Sequence, residues 1–191
     1  MTKECADRLR RSFVSLLDNI TITKMNPLQD MVLISEIVLQ SKIALRAADR
    51  LKTPSSEVDR QVDIWSSIQS ILVSTANVSK ILWPKTKYKA RGERLRQMLR
   101  VEDSSILSSR KFRNHFEHYD EQIDEWFKNQ STAVYTDLAM NPSLSGVGAQ
   151  GHRGYNSFNN TLIFRGESLD LGEVLKALEV ILNNCKPYAF V

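Results

Sequence analysis

The sequence predicts a mainly α-helical protein, an up-and-down bundle over residues 1–130 followed by a small strand–loop–helix appendage over 131–191. Three observations carry this. Apolar residues recur at spacings of three and four along the first three-fifths of the chain. Prolines and capping residues stand where those periodic stretches begin and end. Glycines gather late, four of the seven lying between residues 146 and 154, where the periodicity lapses.

Residues 4–19 form a short amphipathic stretch, with Leu9, Phe13, Leu16 and Ile20 on one side. A second helix starts at Asn26-Pro27-Leu28-Gln29: Asn26 caps, Pro27 suits the first helical position and Gln29 can close a capping box. Its stripe of Ile34, Ile37, Val38, Ala44, Leu45, Ala48 and Leu51 runs to about residue 52, and Pro54 prevents simple continuation. Ser55 or Ser56 caps the next helix, whose buried face is marked by Val58, Val62, Trp65, Ile68, Leu72 and Leu82 and which Pro84 ends. A short helix over 91–100 follows, and another is expected from Asp103 or Ser104 to about Asn129. Beyond it, residues 135–138 and 161–164 have strand character and flank the long stretch NPSLSGVGAQGHRGYNSFNN, read as loop. Asp170 and Glu173 form a capping box for a last amphipathic helix over 171–184.

With 191 residues, 42% apolar and 25% charged, the chain has the composition of an ordinary globular protein. No apolar run approaches the ~20 residues that a membrane-spanning helix needs. The start, MTKECADRLRRSF, has charges where a secretory signal would be apolar, and Glu4 and Asp7 argue against a transit peptide. Two cysteines, Cys5 and Cys185, make no disulfide framework, so a cytoplasmic setting is expected.

The net charge of +4 is unevenly spread. Residues 85–100 (KTKYKARGERLRQMLR) hold seven basic groups and one acidic, a local +6 that leaves the rest of the chain at −2. Clustered cations can track an RNA backbone by displacing phosphate counterions, and an interleaved aromatic can stack on a base. Lys85, Lys87, Tyr88, Lys89, Arg91 and Arg94 are the candidates; the plainer alternative is a solvated connector and helix face.

Two of the three histidines fall in SRKFRNHFEHYDEQIDEWF. On a helical wheel Phe112, Phe116, Tyr119, Ile123, Trp126 and Phe127 share about 100° of arc, one core-facing stripe. Asn114 and His118, one turn apart, lie opposite it, so His118 is either solvent-facing or presented to a ligand or partner. The segment Arg113-Asn114-His115-Phe116-Glu117-His118 resembles the Arg-polar-x3-His signature of HEPN domains, a superfamily of small prokaryotic helical bundles. An overlapping register, Arg110 to His115, has the same spacing, but Lys111 after Arg110 cannot accept a hydrogen bond. The resemblance spans roughly residues 26–130. It implies a homodimer whose two motifs face one cleft and, in active members, RNA cleavage that needs no metal or other cofactor. It also admits a catalytically silent module that binds a protein or nucleic acid, so both readings stay open.

The residue types suit the chemistry. Histidine, with a pKa near 6.5, can take a proton from a 2′-hydroxyl or supply one to the leaving oxygen. Arginine offers a permanent planar charge to the phosphate. Arg113, Asn114 and His118 are therefore the candidate catalytic set, Asn114 orienting the imidazole or binding phosphate. The resemblance further implies a toxin or host-defence setting, with an antitoxin or nucleotidyltransferase as a possible partner; the lack of a long apolar run is what leads to the expectation of no membrane association. The carboxylates Glu117, Asp120, Glu121, Asp124 and Glu125 beside the histidines lack a second ligand cluster, with His152 alone in a glycine-rich loop, so a solvated acidic face is expected and no metal site. Gly146 to Gly151 matches GxGxxG without the strand–turn–helix frame a dinucleotide requires. A mobile loop, or one ordered by a partner, is the better reading.

Overall fold

The computed structural model describes residues 26–53, 59–129, 135–141 and 151–189. The expected helix over 4–19, Cys5, the caps Ser55 and Ser56 and most of the GxGxxG stretch lie outside them. Among the described residues there are six helices and one four-stranded sheet, a mainly α protein: α1 (Pro27–Lys52), α2 (Arg60–Leu82), α3 (Lys89–Met98), α4 (Lys111–Glu117), α5 (Tyr119–Asn129), β1 (Ala139–Met140), β2 (Arg153–Asn156), β3 (Thr161–Phe164), β4 (Glu167–Asp170) and α6 (Leu171–Cys185). Among these residues no helix is long and apolar enough to cross a membrane.

The long helices begin and end where their local chemistry dictates. The Asn26 side chain accepts from Gln29 N–H at 3.2 Å, and Pro27 occupies the first turn. Asp170 caps α6 through the N–H groups of Gly172 and Glu173. Buried positions in α1 fall at Asp30, Ile34, Ile37, Ser41, Ala44 and Ala48, and in α2 at Ile64, Ile68, Ile71, Thr75, Val78 and Leu82. Both series alternate steps of four and three, the spacing of a coiled-coil seam. The helices run antiparallel: Ile34 and Ile37 share a cluster with Val78 and Leu82, while Ala47 and Ala48 share one with Ile64 and Trp65.

Helix α6 belongs to the same core, with Val174, Leu178, Ile181 and Cys185 beside Ile34, Leu82, Leu95 and Leu99. Burial pushes the Cys185 thiol up to about 11, which keeps it protonated and inert. The sheet covers the other end, where Tyr155, Leu162 and Leu171 join Trp65, Ile68 and Leu72. Its order is β1-β2-β3-β4, with β1 parallel to β2 and the other pairs antiparallel.

Three expectations change. The helix expected from Asp103 or Ser104 starts only at Lys111: a turn and a 3-10 turn (Ile106–Ser108) come first, and the Ser105 hydroxyl accepts from Leu107 N–H. Serines here offer the backbone alternatives to helix, as Ser and Asn side chains commonly do. That helix then breaks at His118 (φ −107°, ψ 36°), so α4 and α5 are separate. The break falls in a run of weak helix formers, Asn114, His115, Phe116, His118 and Tyr119. In the C-terminal region 135–138 is not a strand, whereas Arg153–Asn156, read as loop, is β2. The β3–β4 hairpin turns on Arg165 and Gly166, both with positive φ, the two-residue geometry that matches strand twist.

Helix α3 sits hard against the end of α2. A Cβ on Gly92 would lie 2.7 Å from the Leu82 carbonyl oxygen and closer still to Pro84 Cδ. Gly92→Ala is expected to lower stability by about 1–3 kcal/mol, read as a drop in the urea midpoint at unchanged slope.

Candidate functional site

Helices α4 and α5 present the Arg-Asn-x3-His motif on the outside of α2. Phe116 stacks on Trp65 with centroids 6.2 Å apart, and Phe112 packs on the same cluster. The expected apolar stripe is therefore only partly buried. Trp126 is 2% exposed, while Tyr119 and Phe127 are about half exposed.

Arg113 Nη1 lies 2.6 Å from Glu117 Oε2 one turn ahead and donates to Asn114 Oδ1 at 2.8 Å. The Arg113 side chain is only 18% exposed. His118, at the kink, is 57% exposed, with Nδ1 3.6 Å from Glu121 Oε1. Asn114 thus serves Arg113, not the imidazole: its backbone carbonyl, not its side chain, meets His118, accepting the N–H at 3.0 Å. The kink and the Arg113 contact leave the amide engaged elsewhere.

The basic strip lies beyond the end of α2, on the connector and on α3. Lys85, Lys87, Tyr88 and Lys89 are exposed, and Arg91 lies over the Tyr88 ring at 5.1 Å with Lys87 at 5.2 Å from its centroid. Arg94 leaves this set. It donates two hydrogen bonds to Asp30, at 2.9 and 2.7 Å, and its side chain is 19% exposed, so a buried carboxylate already holds the fork meant for phosphate. Helix α3 docks at Leu82 and Pro84, whereas Phe116 meets Trp65. From Trp65 to Leu82 is about 25 Å along α2 at 1.5 Å per residue. Within one chain the strip and His118 do not form one continuous surface.

Sequence reasoning passed over the side chains that brace the motif. His152 is fully buried, its Nδ1 sharing a 2.8 Å hydrogen bond with the Tyr135 hydroxyl. Its ring meets Phe164 at 4.9 Å, and His115 stacks on that same Phe164 at 4.3 Å and 10°. Neither Nε2 has a hydrogen-bond partner among the described residues. Arg153 donates twice to Asp137, at 2.9 and 2.5 Å, and lies over Trp65, Phe116 and Tyr119. Burial alone would raise the Asp137 carboxyl, but Arg153 holds it below its ordinary range. Lys111 pairs with Glu167 at 2.6 Å, and Arg165 reaches Gln122 and Glu125 on α5. The alternation at Tyr155, Leu162 and Phe164 was the available signal for the sheet; nothing local signals the Asp137–Arg153 pair.

Desolvation lowers the pKa of the partly buried His115 and of the fully buried His152. For His115 desolvation outweighs the pull of Glu167, with Lys111 and Arg165 adding to the lowering. For His152 desolvation outweighs Asp137, with Arg153, Arg165 and His115 adding to it. Among the described residues no cluster of three or more His, Cys, Asp or Glu side chains is placed to hold a metal ion.

A histidine with a depressed folded-state pKa contributes stability that is fully present above its unfolded pKa and is lost as pH falls through the folded value. Below about pH 6.5 the unfolded chain binds more protons than the native one, so stability drops on acidification. The urea midpoint is expected to fall between about pH 7.5 and about pH 5, and a His115→Gln/His152→Gln variant to fall less over that interval. An equal fall in the variant would assign the acid sensitivity to other groups.

No family model, curated protein or solved structure matches the chain, so its chemistry is read from its own residues.

Proposed function

We propose that the chain is a metal-independent endoribonuclease of the HEPN type, acting as a homodimer that brings the Arg113 and His118 of both copies into one cleft. The observation that supports this most is the exposure of His118 at the α4–α5 kink, five residues beyond Arg113. An imidazole there is open to an incoming phosphodiester. It can take the 2′-hydroxyl proton while the 2′ oxygen attacks phosphorus, or return a proton to the departing 5′ oxygen. Two such motifs at a two-fold axis supply both tasks. Both Arg113 contacts use Nη1, so the remaining N–H groups of the guanidinium fork can meet a phosphate oxygen. The basic strip binds RNA beyond the cut. A toxin or host-defence setting, with an antitoxin or nucleotidyltransferase as partner, accompanies this reading.

One observation favours the second reading, a catalytically silent HEPN-like module that binds a protein or nucleic acid. Glu117 already neutralises Arg113 at 2.6 Å.

Incubating the purified protein with mixed RNA in EDTA separates the two. Cleavage that falls by at least about 100-fold in both Arg113→Ala and His118→Ala supports the nuclease. Full cleavage by His118→Ala overturns it, and an inert wild-type protein that still binds RNA or a protein leaves the module. Charge reversal at Lys87, Lys89 and Arg91 is expected to weaken RNA binding and to flatten its salt dependence in proportion to the phosphates no longer neutralised. Unchanged affinity would remove the strip from the interface.

A further inference from the structure

Helix α1 buries Ile34, Ile37, Ser41, Ala44 and Ala48 on one side, and a second apolar stripe runs along the other. Leu28, Val32, Leu39 and Ile43 are 67%, 61%, 51% and 38% exposed. At about 100° per residue these four share about 60° of arc, centred roughly 170° from the buried positions. A solvated helix face is expected to be polar, so a continuous apolar stripe there marks a surface made to be covered.

Residues 1–25 lie outside the described residues and join α1 at Asn26. Their predicted amphipathic stretch carries Leu9, Phe13, Leu16 and Ile20, with Cys5 four positions earlier, within about 80° of arc. Turned back about Lys24, this stretch matches the stripe of α1 position for position. Ile20 falls opposite Leu28, Leu16 opposite Val32, Leu9 opposite Leu39 and Cys5 opposite Ile43, each pair equally far from Lys24. Phe13, the bulkiest of the set, falls opposite Ser35, where α1 has a small side chain. Residues 21–25 are long enough for the short loop of an antiparallel helix pair. We infer that residues 5–20 seat as an antiparallel helix on the outer stripe of α1.

Charge favours this occupant over a second copy. Glu36 is exposed on one flank of the stripe, and in this register Arg10 comes to the same flank. A second α1 laid antiparallel on the stripe, Leu28 opposite Ile43 and Val32 opposite Leu39, would instead bring two Glu36 carboxylates together at the two-fold axis. The other flank, Lys42 near Arg8 and Glu4, favours neither. The covalent connection adds to the preference by keeping the segment at high effective concentration.

The register is tested with the native Cys5, because Cys185 is buried and inert. A disulfide needs Cα atoms about 4.4–6.8 Å apart. In the full-length chain Ile43→Cys is expected to bond to Cys5 within one chain, on mild oxidation, at least about tenfold faster than Val32→Cys, which stands about 16 Å further along α1. Leu9→Asp/Leu16→Asp added to Ile43→Cys should slow that bond, since it removes the apolar contact and leaves the tether. Equal rates for the two single variants, no effect of the added aspartates, or a bond formed only between two chains overturns the inference. A nitroxide on Cys5 of the unsubstituted chain gives a second reading by NMR. Broadening is expected to be strongest at Ile43 and Leu39 and weakest at Leu28; a flat profile, or none on α1, overturns the inference as well.

Discussion

The seam between α1 and α2 is the constraint on which everything else depends. Its buried positions step by four and three on both helices, and several are small: Ser41, Ala44 and Ala48 on one, Thr75 on the other. Small side chains let the two axes approach closely, and van der Waals contact then falls along nearly the whole of α2. Thirteen of its 23 residues are buried, more than one stripe can account for. The surplus faces α3, α4 and the sheet. α2 is thus the central post of the molecule, and its length separates the basic strip from the kink.

A second coupling joins the sheet to the motif. Phe164 is held between two histidines, His115 from α4 and His152 from the start of the sheet. Arg153 spans the kink by lying over both Phe116 and Tyr119, and Arg165 holds α5 from the hairpin turn. The geometry at Arg113 and His118 is therefore set largely by residues more than thirty positions further along the chain.

That distance explains what could be read from the sequence. The starts of α1 and α6 and the end of α2 were legible because Asn26, Pro27, Asp170 and Pro84 act within a turn of where they stand, whereas α2 starts at Arg60 after Asp59 and not directly after Ser55 or Ser56. β3 was legible from Thr161 to Phe164, but β2 was hidden among turn formers and acquires its strand by pairing with β1 and β3. The kink at His118 depends on weak local propensity combined with two separate anchors, and periodicity sees neither. At the candidate site Arg113 and His118 stood out by spacing. The Asp30–Arg94 pair, which joins residues 64 apart, did not, so Arg94 could not be told from its exposed basic neighbours. His152 looked solitary because its partners, Tyr135 and Phe164, come from either side of a long insertion.

The sheet also limits how this protein can meet others. β1 is two residues long and bounded by Leu138 and Asn141, both with positive φ, so its outer edge offers no extended backbone to a newcomer. β4, the opposite edge, is four residues long and carries Glu167 and Asp170 at its two ends. Short, charged or twisted edges are how β-sheets resist strand addition. Among the described residues neither edge invites an added strand, and the exposed apolar side chains Leu28, Val32, Val62 and Phe158 lie instead on helices and in a turn.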